Sequence, residues 1–264
     1  MNKNQSVYEK SIVYKISGMD HLTVHRNLIY KSAEGVDLKL DVYIPADIPR
    51  DTKIPGVMFI HGGPIQPSMK QPKDWGFFNS YGRLVAASGL VGVTFNHRYH
   101  SVAYLEESGK DIRDAISYIQ DHSEFFNLDP HCLSAWIFSG AGRHLYTILE
   151  NSQDFIKCVI LYYPVLSVES LIDEMRRKFS PVPYFKKDAF TEIPIFFARA
   201  GLERPQYIRS VDVFIQKALE ANICLDLANH PHGRHGFDIL DDDDRSRQII
   251  AQTIEFIKTN LIQE

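Results

Sequence analysis

Cysteine is scarce: Cys132, Cys158 and Cys224 are the three among 264 residues. An odd number at wide spacings, with no Cys-x-x-Cys pair, argues against a disulfide framework, a structural zinc and a dithiol redox centre. Each lies at the edge of an apolar run, the ordinary place of a small buried thiol. No window reaches the roughly 18 apolar residues that a membrane-spanning helix needs. Met1 to Lys10 is polar, without the apolar stretch of a leader behind its lysines, so the chain is expected to be soluble, unsecreted and cytoplasmic. A basic surplus is missing too: 29 Lys and Arg against 33 Asp and Glu leave a net charge of -4, and only Asp241 to Asp244 form a block. That balance argues against a nucleic-acid partner. No Gly-, Ser- or Pro-rich stretch is long enough to be a linker, and no internal repeat is visible. With 44% of residues hydrophobic and 23% charged, one packed domain over residues 1–264 is expected.

What is present is a regular succession of apolar runs. Val24 to Tyr30 and Val36 to Tyr43 flank the turn Ser32-Ala33-Glu34-Gly35. Val36, Leu38, Leu40 and Val42 alternate with polar residues, as in an antiparallel pair with one solvated face. Thereafter the runs are short and nearly continuous: Gly56 to Ile60, Leu90 to Phe95, Leu133 to Phe138, Cys158 to Tyr163, Ile193 to Ala198 and Ile223 to Leu227. Strands covered on both faces read this way. Helical segments are expected between them at Phe77 to Ala87, Glu106 to His122, after Gly142, Glu169 to Phe179 and Ser210 to Ala221, with a last one at Ser246 to Leu261. The repetition predicts an α/β fold, a mostly parallel sheet of about eight strands with right-handed crossovers and helices on both faces.

Ligands of open α/β sheets sit beyond the carboxyl ends of the strands. Three of those ends are unusual here. His61-Gly62-Gly63-Pro64 follows a strand, and two glycines allow backbone N–H groups to approach a developing oxyanion. It matches no Gly-x-Gly-x-x-Gly or Gly-x-x-x-x-Gly-Lys phosphate loop. Trp136-Ile137-Phe138-Ser139-Gly140-Ala141-Gly142 runs from a strand into a small-residue turn, where a serine hydroxyl is lifted clear of the sheet; a plain helix cap is the simpler role for Ser139. His235-Gly236-Phe237 follows the last strand, and Glu203 stands just past the strand Ile193 to Ala198.

The order Ser, Glu, His with a glycine pair upstream resembles the α/β-hydrolase superfamily over nearly the whole chain. Trp136 to Gly142, Ala200-Gly201-Leu202-Glu203 and His235-Gly236-Phe237 look closest to small bacterial hydrolases of the dienelactone-hydrolase-like and carboxylesterase-like type. The resemblance implies Ser139 as nucleophile, His235 as general base, Glu203 as its orienting acid, and Gly62, Gly63 and Gly140 as oxyanion donors. It implies a serine hydrolase that cleaves a small carboxylic ester or related acyl substrate through an acyl-enzyme, with no cofactor and no metal. A peptidase, thioesterase or lactonase would use the same residues. The expected partner is that small molecule, with no nucleic acid and no membrane, and homo-oligomerisation is left open.

A second register stays open at the turn. Gly140-Ala141-Gly142-Arg143-His144-Leu145 also aligns with the Ser-Ala-Gly-Gly-His-Leu form of many esterases, which would put Gly140 at the nucleophile position and make the chain a binding protein of degenerate hydrolase fold. His61, His97 and Tyr184 are candidate substrate-binding residues. Residues 167–188 are where a short lid is expected. The aromatic and basic residues Met175 to Phe179 and Pro181 to Phe185 there suggest an acyl group with a polar or anionic portion.

Overall fold

A computed structural model describes residues 6–49, 52–150, 154–166, 173, 175, 179 and 192–262. Its strands are β1 (Leu22–Ala33), β2 (Val36–Pro45), β3 (Ile54–Ile60), β4 (Val91–Phe95), β5 (Leu128–Phe138), β6 (Ile156–Tyr162), β7 (Ile195–Ala200) and β8 (Leu225–His230). They form one sheet in the order β1-β2-β4-β3-β5-β6-β7-β8. β1, β2 and β4 pair antiparallel, and every other neighbour is parallel. The β1–β2 turn has positive φ at both Glu34 and Gly35, the backbone whose twist matches that of the strands it joins.

Helices whose bounds lie among the described residues are α1 (Gly76–Ala87), α2 (Leu105–Asp121), α3 (Leu145–Leu149), α4 (Pro205–Glu220), α5 (Phe237–Leu240) and α6 (Asp244–Leu261). Successive side chains of a strand point to opposite faces, and β5 shows the consequence. Leu133, Ala135 and Ile137 enter the core beneath α2, α3 and α4. Trp136 and Phe138 enter the opposite core, beneath α1 and α6. The acidic run ahead of α6 caps it: Asp243 accepts the Ser246 N–H at 2.8 Å, an anion at the positive end of the helix.

Boundaries differ from expectation where chemistry other than apolar periodicity sets them. α4 starts at Pro205 rather than Ser210, because proline's fixed φ suits the first helical turn. The helix expected after Gly142 begins as a tight 3-10 turn, Ser139–His144, before α3. α5 has no counterpart among the expected helices, being a single turn too short to show a period. The expected lid at residues 167–188 and the helix from Glu169 lie outside the described residues apart from Asp173, Met175 and Phe179.

The topology creates one privileged crevice. From β3 the chain crosses over α1 to β4 on one side, then over α2 to β5 on the other. The ends of β3 and β5 are adjacent at this switch point, with Ile60 paired to Ile137, and a crevice opens outside them.

Candidate active site

Ser139 is the first residue beyond β5, and its φ is +50°. A non-glycine residue held there is strained, and such strain collects at functional sites. The turn is held from outside: the Val165 N–H donates to the Ser139 carbonyl at 2.8 Å. Ser139 Oγ lies 2.7 Å from His235 Nε2. His235 Nδ1 in turn contacts Glu203 Oε2. The Glu203 side chain is 10% exposed and that of His235 38%, so Glu203 is shielded while His235 lines a cavity. Burial opposes ionisation of Glu203, but the hydrogen bonds from His235 and from the Arg204 N–H outweigh it and hold the carboxyl below its ordinary value. The geometry thus brings Ser139, His235 and Glu203 together from the ends of β5, β8 and β7.

The glycines fit the same construction. A Cβ on Gly62 would stand 2.7 Å from Ser139 Cβ and 3.1 Å from Gly140 N; one on Gly140 would stand 2.3 Å from the Gly63 carbonyl oxygen and 3.0 Å from Gly63 N. Two backbones therefore touch where any side chain would separate them. The crowding that an elbow imposes two residues either side of its apex falls here on Ile137 and Ala141, both fully buried in the core.

His61 and His97 do not face this cavity, contrary to expectation. Both are buried, at 1% and 3% exposure, and their rings stack 3.7 Å apart. Burial holds both well below the usual histidine range, so both are neutral and each ring has one donor and one acceptor. His61 Nδ1 donates to the Gly62 carbonyl at 2.7 Å, and its Nε2 accepts the His97 N–H at 3.2 Å. His97 Nε2 donates to the His61 carbonyl at 3.0 Å, and Ser108 Oγ lies 2.7 Å from its Nδ1. Ser108 closes the chain by accepting from His144 Nε2 at 2.9 Å. Because C=O and N–H point in opposite directions across a planar trans peptide, drawing the Gly62 carbonyl toward His61 turns the Gly63 N–H the other way. Tyr184 lies outside the described residues.

One further carboxylate lies beside these three residues, on Asp238, three positions after His235. Asp238 is fully buried and accepts the hydroxyls of Tyr81 at 2.6 Å and Tyr163 at 2.8 Å. Burial pushes its carboxyl up to about 6 despite those two hydrogen bonds. The Tyr163 ring lies 4.8 Å from the His235 ring, so Tyr163 links Asp238 to His235. The signal for it in the sequence is an acid enclosed by Phe237, Ile239 and Leu240, a charge on an otherwise apolar turn. Above Ser139 and His235 is a cavity of about 250 Å³. No Asp, Glu, Lys or Arg lines it among the described residues, and none of these residues groups as a metal site.

The BD-FAE family model matches residues 40–187, more than half of the 264 residues. The chain belongs to the BD-FAE family. The matched segment holds Gly62, Gly63, Ser139 and Gly140 of this BD-FAE chain and ends before Glu203 and His235. No curated protein matches it. Among solved structures it is similar to esterase 2 of Thermogutta terrifontis phosphorylated by paraoxon, at 19% identity over 93% of this chain and 97% of that one, with a TM-score of 0.74. The butyrate-bound form of the same esterase gives 20%, 93%, 97% and 0.69. MGS-M1, an α/β hydrolase from a Medee basin deep-sea metagenome library, gives 14%, 92%, 99% and 0.68. At such identities the likeness is one of fold, and this BD-FAE chain has the α/β-hydrolase fold. No helix among the described residues is long and apolar enough to cross a membrane.

Proposed function

We propose that the chain is a serine hydrolase that cleaves a small carboxylic ester through an acyl-enzyme on Ser139. The observation that carries this reading is the hydroxyl of a positive-φ residue at the top of the sheet, 2.7 Å from an imidazole nitrogen whose partner nitrogen rests on a carboxylate. Serine at its ordinary pKa is a weak nucleophile and needs a base. In this reading Ser139 Oγ attacks the ester carbonyl while its proton passes to His235 Nε2. Glu203 fixes the tautomer and stabilises the imidazolium. N–H groups of the Gly62–Gly63 loop and of Gly140 receive the oxyanion. Collapse expels the alcohol, which takes the proton from His235. Water then attacks the acyl group with His235 again as base, releasing the acid and restoring Ser139. The sequence calls for no metal or cofactor.

The structural relatives described as esterases support an ester over an amide or thioester. The rival, a binding protein with Gly140 at the nucleophile position, has less support: the strained backbone falls at Ser139, and Gly140 abuts the Gly63 carbonyl instead of the cavity. A cytoplasmic site of action belongs to this reading and agrees with three free cysteines. A fluorophosphonate probe is expected to label the wild type, to fail on Ser139→Ala and to react more slowly with His235→Ala. A folded wild type that takes no label and leaves short p-nitrophenyl esters intact overturns it.

A further inference from the structure

We propose that the segment bearing Val7 and Tyr8 is a selectivity wall of the substrate pocket, limiting the length of an uncharged apolar chain on the ester. This rests on the serine-hydrolase reading and gives it a substrate class. The segment lies ahead of residues 40–187, the part the family model matches, yet Val7 and Tyr8 line the same cavity as Ser139 and His235.

The wall is built rather than draped. Ser6 and Glu9 form a reciprocal cap on the short turn Val7–Glu9, with the Tyr8 N–H on Ser6 Oγ at 3.4 Å and the Ser6 N–H on Glu9 Oε2 at 3.3 Å. The backbone then lies directly on the start of α1: a Cβ on Gly76 would meet the Glu9 carbonyl oxygen at 2.6 Å and that of Lys10 at 2.7 Å. Beyond it the Ile12 N–H donates to Ser80 Oγ at 3.0 Å and the Val13 N–H to the Asp238 carbonyl at 2.8 Å. The segment thus spans from α1 to the turn that supports His235. Against this fixed backbone the half-buried Tyr8 ring packs on Trp75, centroids 4.5 Å apart. Trp75 is itself pinned by its Nε1–H on the Lys70 carbonyl at 2.7 Å.

The chemistry of the occupant follows from the lining. Pro64, Ile65, Trp75 and Leu240 join Val7 and Tyr8, and no charged side chain other than a protonated His235 is available among the described residues. Among the described residues an anionic chain would find no partner there for the hydration it loses. At about 250 Å³ the space is at the small end for ligand pockets, so a wall residue decides how many methylenes fit.

The test compares kcat/KM across p-nitrophenyl esters from acetate to decanoate, and across alkyl acetates of rising alcohol length, for wild type, Tyr8→Ala, Tyr8→Phe and Val7→Trp. A methylene gained or lost in an apolar pocket changes kcat/KM by about 10-fold or more. Tyr8→Ala is expected to raise the long-to-short ratio by about that factor in one of the two series, mainly through KM, and Val7→Trp to lower it, while Tyr8→Phe keeps the wild-type ratio. Opposite changes in two variants distinguish a wall from a merely structural contact. Unchanged ratios in both, with fluorophosphonate labelling of Ser139 intact, overturn the wall and leave the hydrolase reading standing. An unlabelled wild type overturns both.

Discussion

At the scale of single residues, the proposed site divides into groups that react and groups that hold them. Glu203 is proposed to hold. Its carboxyl sits on His235 Nδ1 and takes the Arg204 N–H at 2.8 Å, so Glu203→Gln would favour the wrong imidazole tautomer. We expect kcat on p-nitrophenyl acetate to fall on the order of 10⁴-fold, the scale known for such a change, with the melting temperature little moved. Gly140 is a matter of space: Gly140→Ala puts a methyl 2.3 Å from the Gly63 carbonyl oxygen and is expected to cost roughly 10²–10³ in kcat, the worth of an oxyanion donor. Wild-type turnover in that variant would show that the Gly63–Gly140 contact is not part of the oxyanion site. Asp238 carries a pH signature. Its folded pKa of about 6 lies above the ordinary value of 3.8, so between those values the folded state binds the extra proton, and stability from this group is lost as pH rises through about 6. The difference is on the order of 3 kcal/mol. Chemical denaturation from pH 4 to 7 should show Asp238→Asn gaining on the wild type as pH rises; a difference independent of pH contradicts the assignment. Ser139 and His235, the residues proposed to react, are legible in one dimension because each precedes a glycine in the loop beyond an apolar strand. Asp238 is not, since its value lies in Tyr81 and Tyr163, 157 and 75 positions away.

At the scale of elements, the site is a property of strand ends. β3 and β5 bring the Gly62–Gly63 loop against Ser139–Gly140, and β7 and β8 bring Glu203 against His235. Pairing β7 with β8 puts Ala200 opposite His230, which sets the acid three residues and the base five residues past one shared level. The interior strands are readable from sequence because burial on both faces leaves few polar positions; β3, β4 and β6 fall within two residues of the expected runs. Less of α3 and α5 is readable. Ser139–His144 is a 3-10 turn packed closely on the Gly63 backbone and the Pro164 side chain, and no local propensity reports those contacts. The histidines after β3 and β4 teach the same lesson. A polar strand end such as Asn96 to His100 fits a pocket lining equally well, and only the stacking of His61 on His97 and the hydrogen bond through Ser108 to His144 turn them inward. There they set the direction of the Gly62 carbonyl instead of meeting a ligand.

At the scale of the whole molecule, two cores on opposite faces of one sheet flank the crevice at its switch point. The segment before β1 closes that crevice from outside the sheet, with Val13 joined to the Asp238 turn and Tyr8 to Trp75. Sequence patterning yields the sheet but not this closure, because an irregular segment tied down by backbone hydrogen bonds has no periodicity to read. The proposed activity turns on one hydroxyl, that of Ser139. Reaction with a fluorophosphonate, followed by digestion and mass spectrometry of the intact fold's single labelled peptide, tests it most directly. The adduct is expected on Ser139, absent from Ser139→Ala and slowed in His235→Ala. A folded protein that takes no label, or takes it equally well without Ser139, would contradict it.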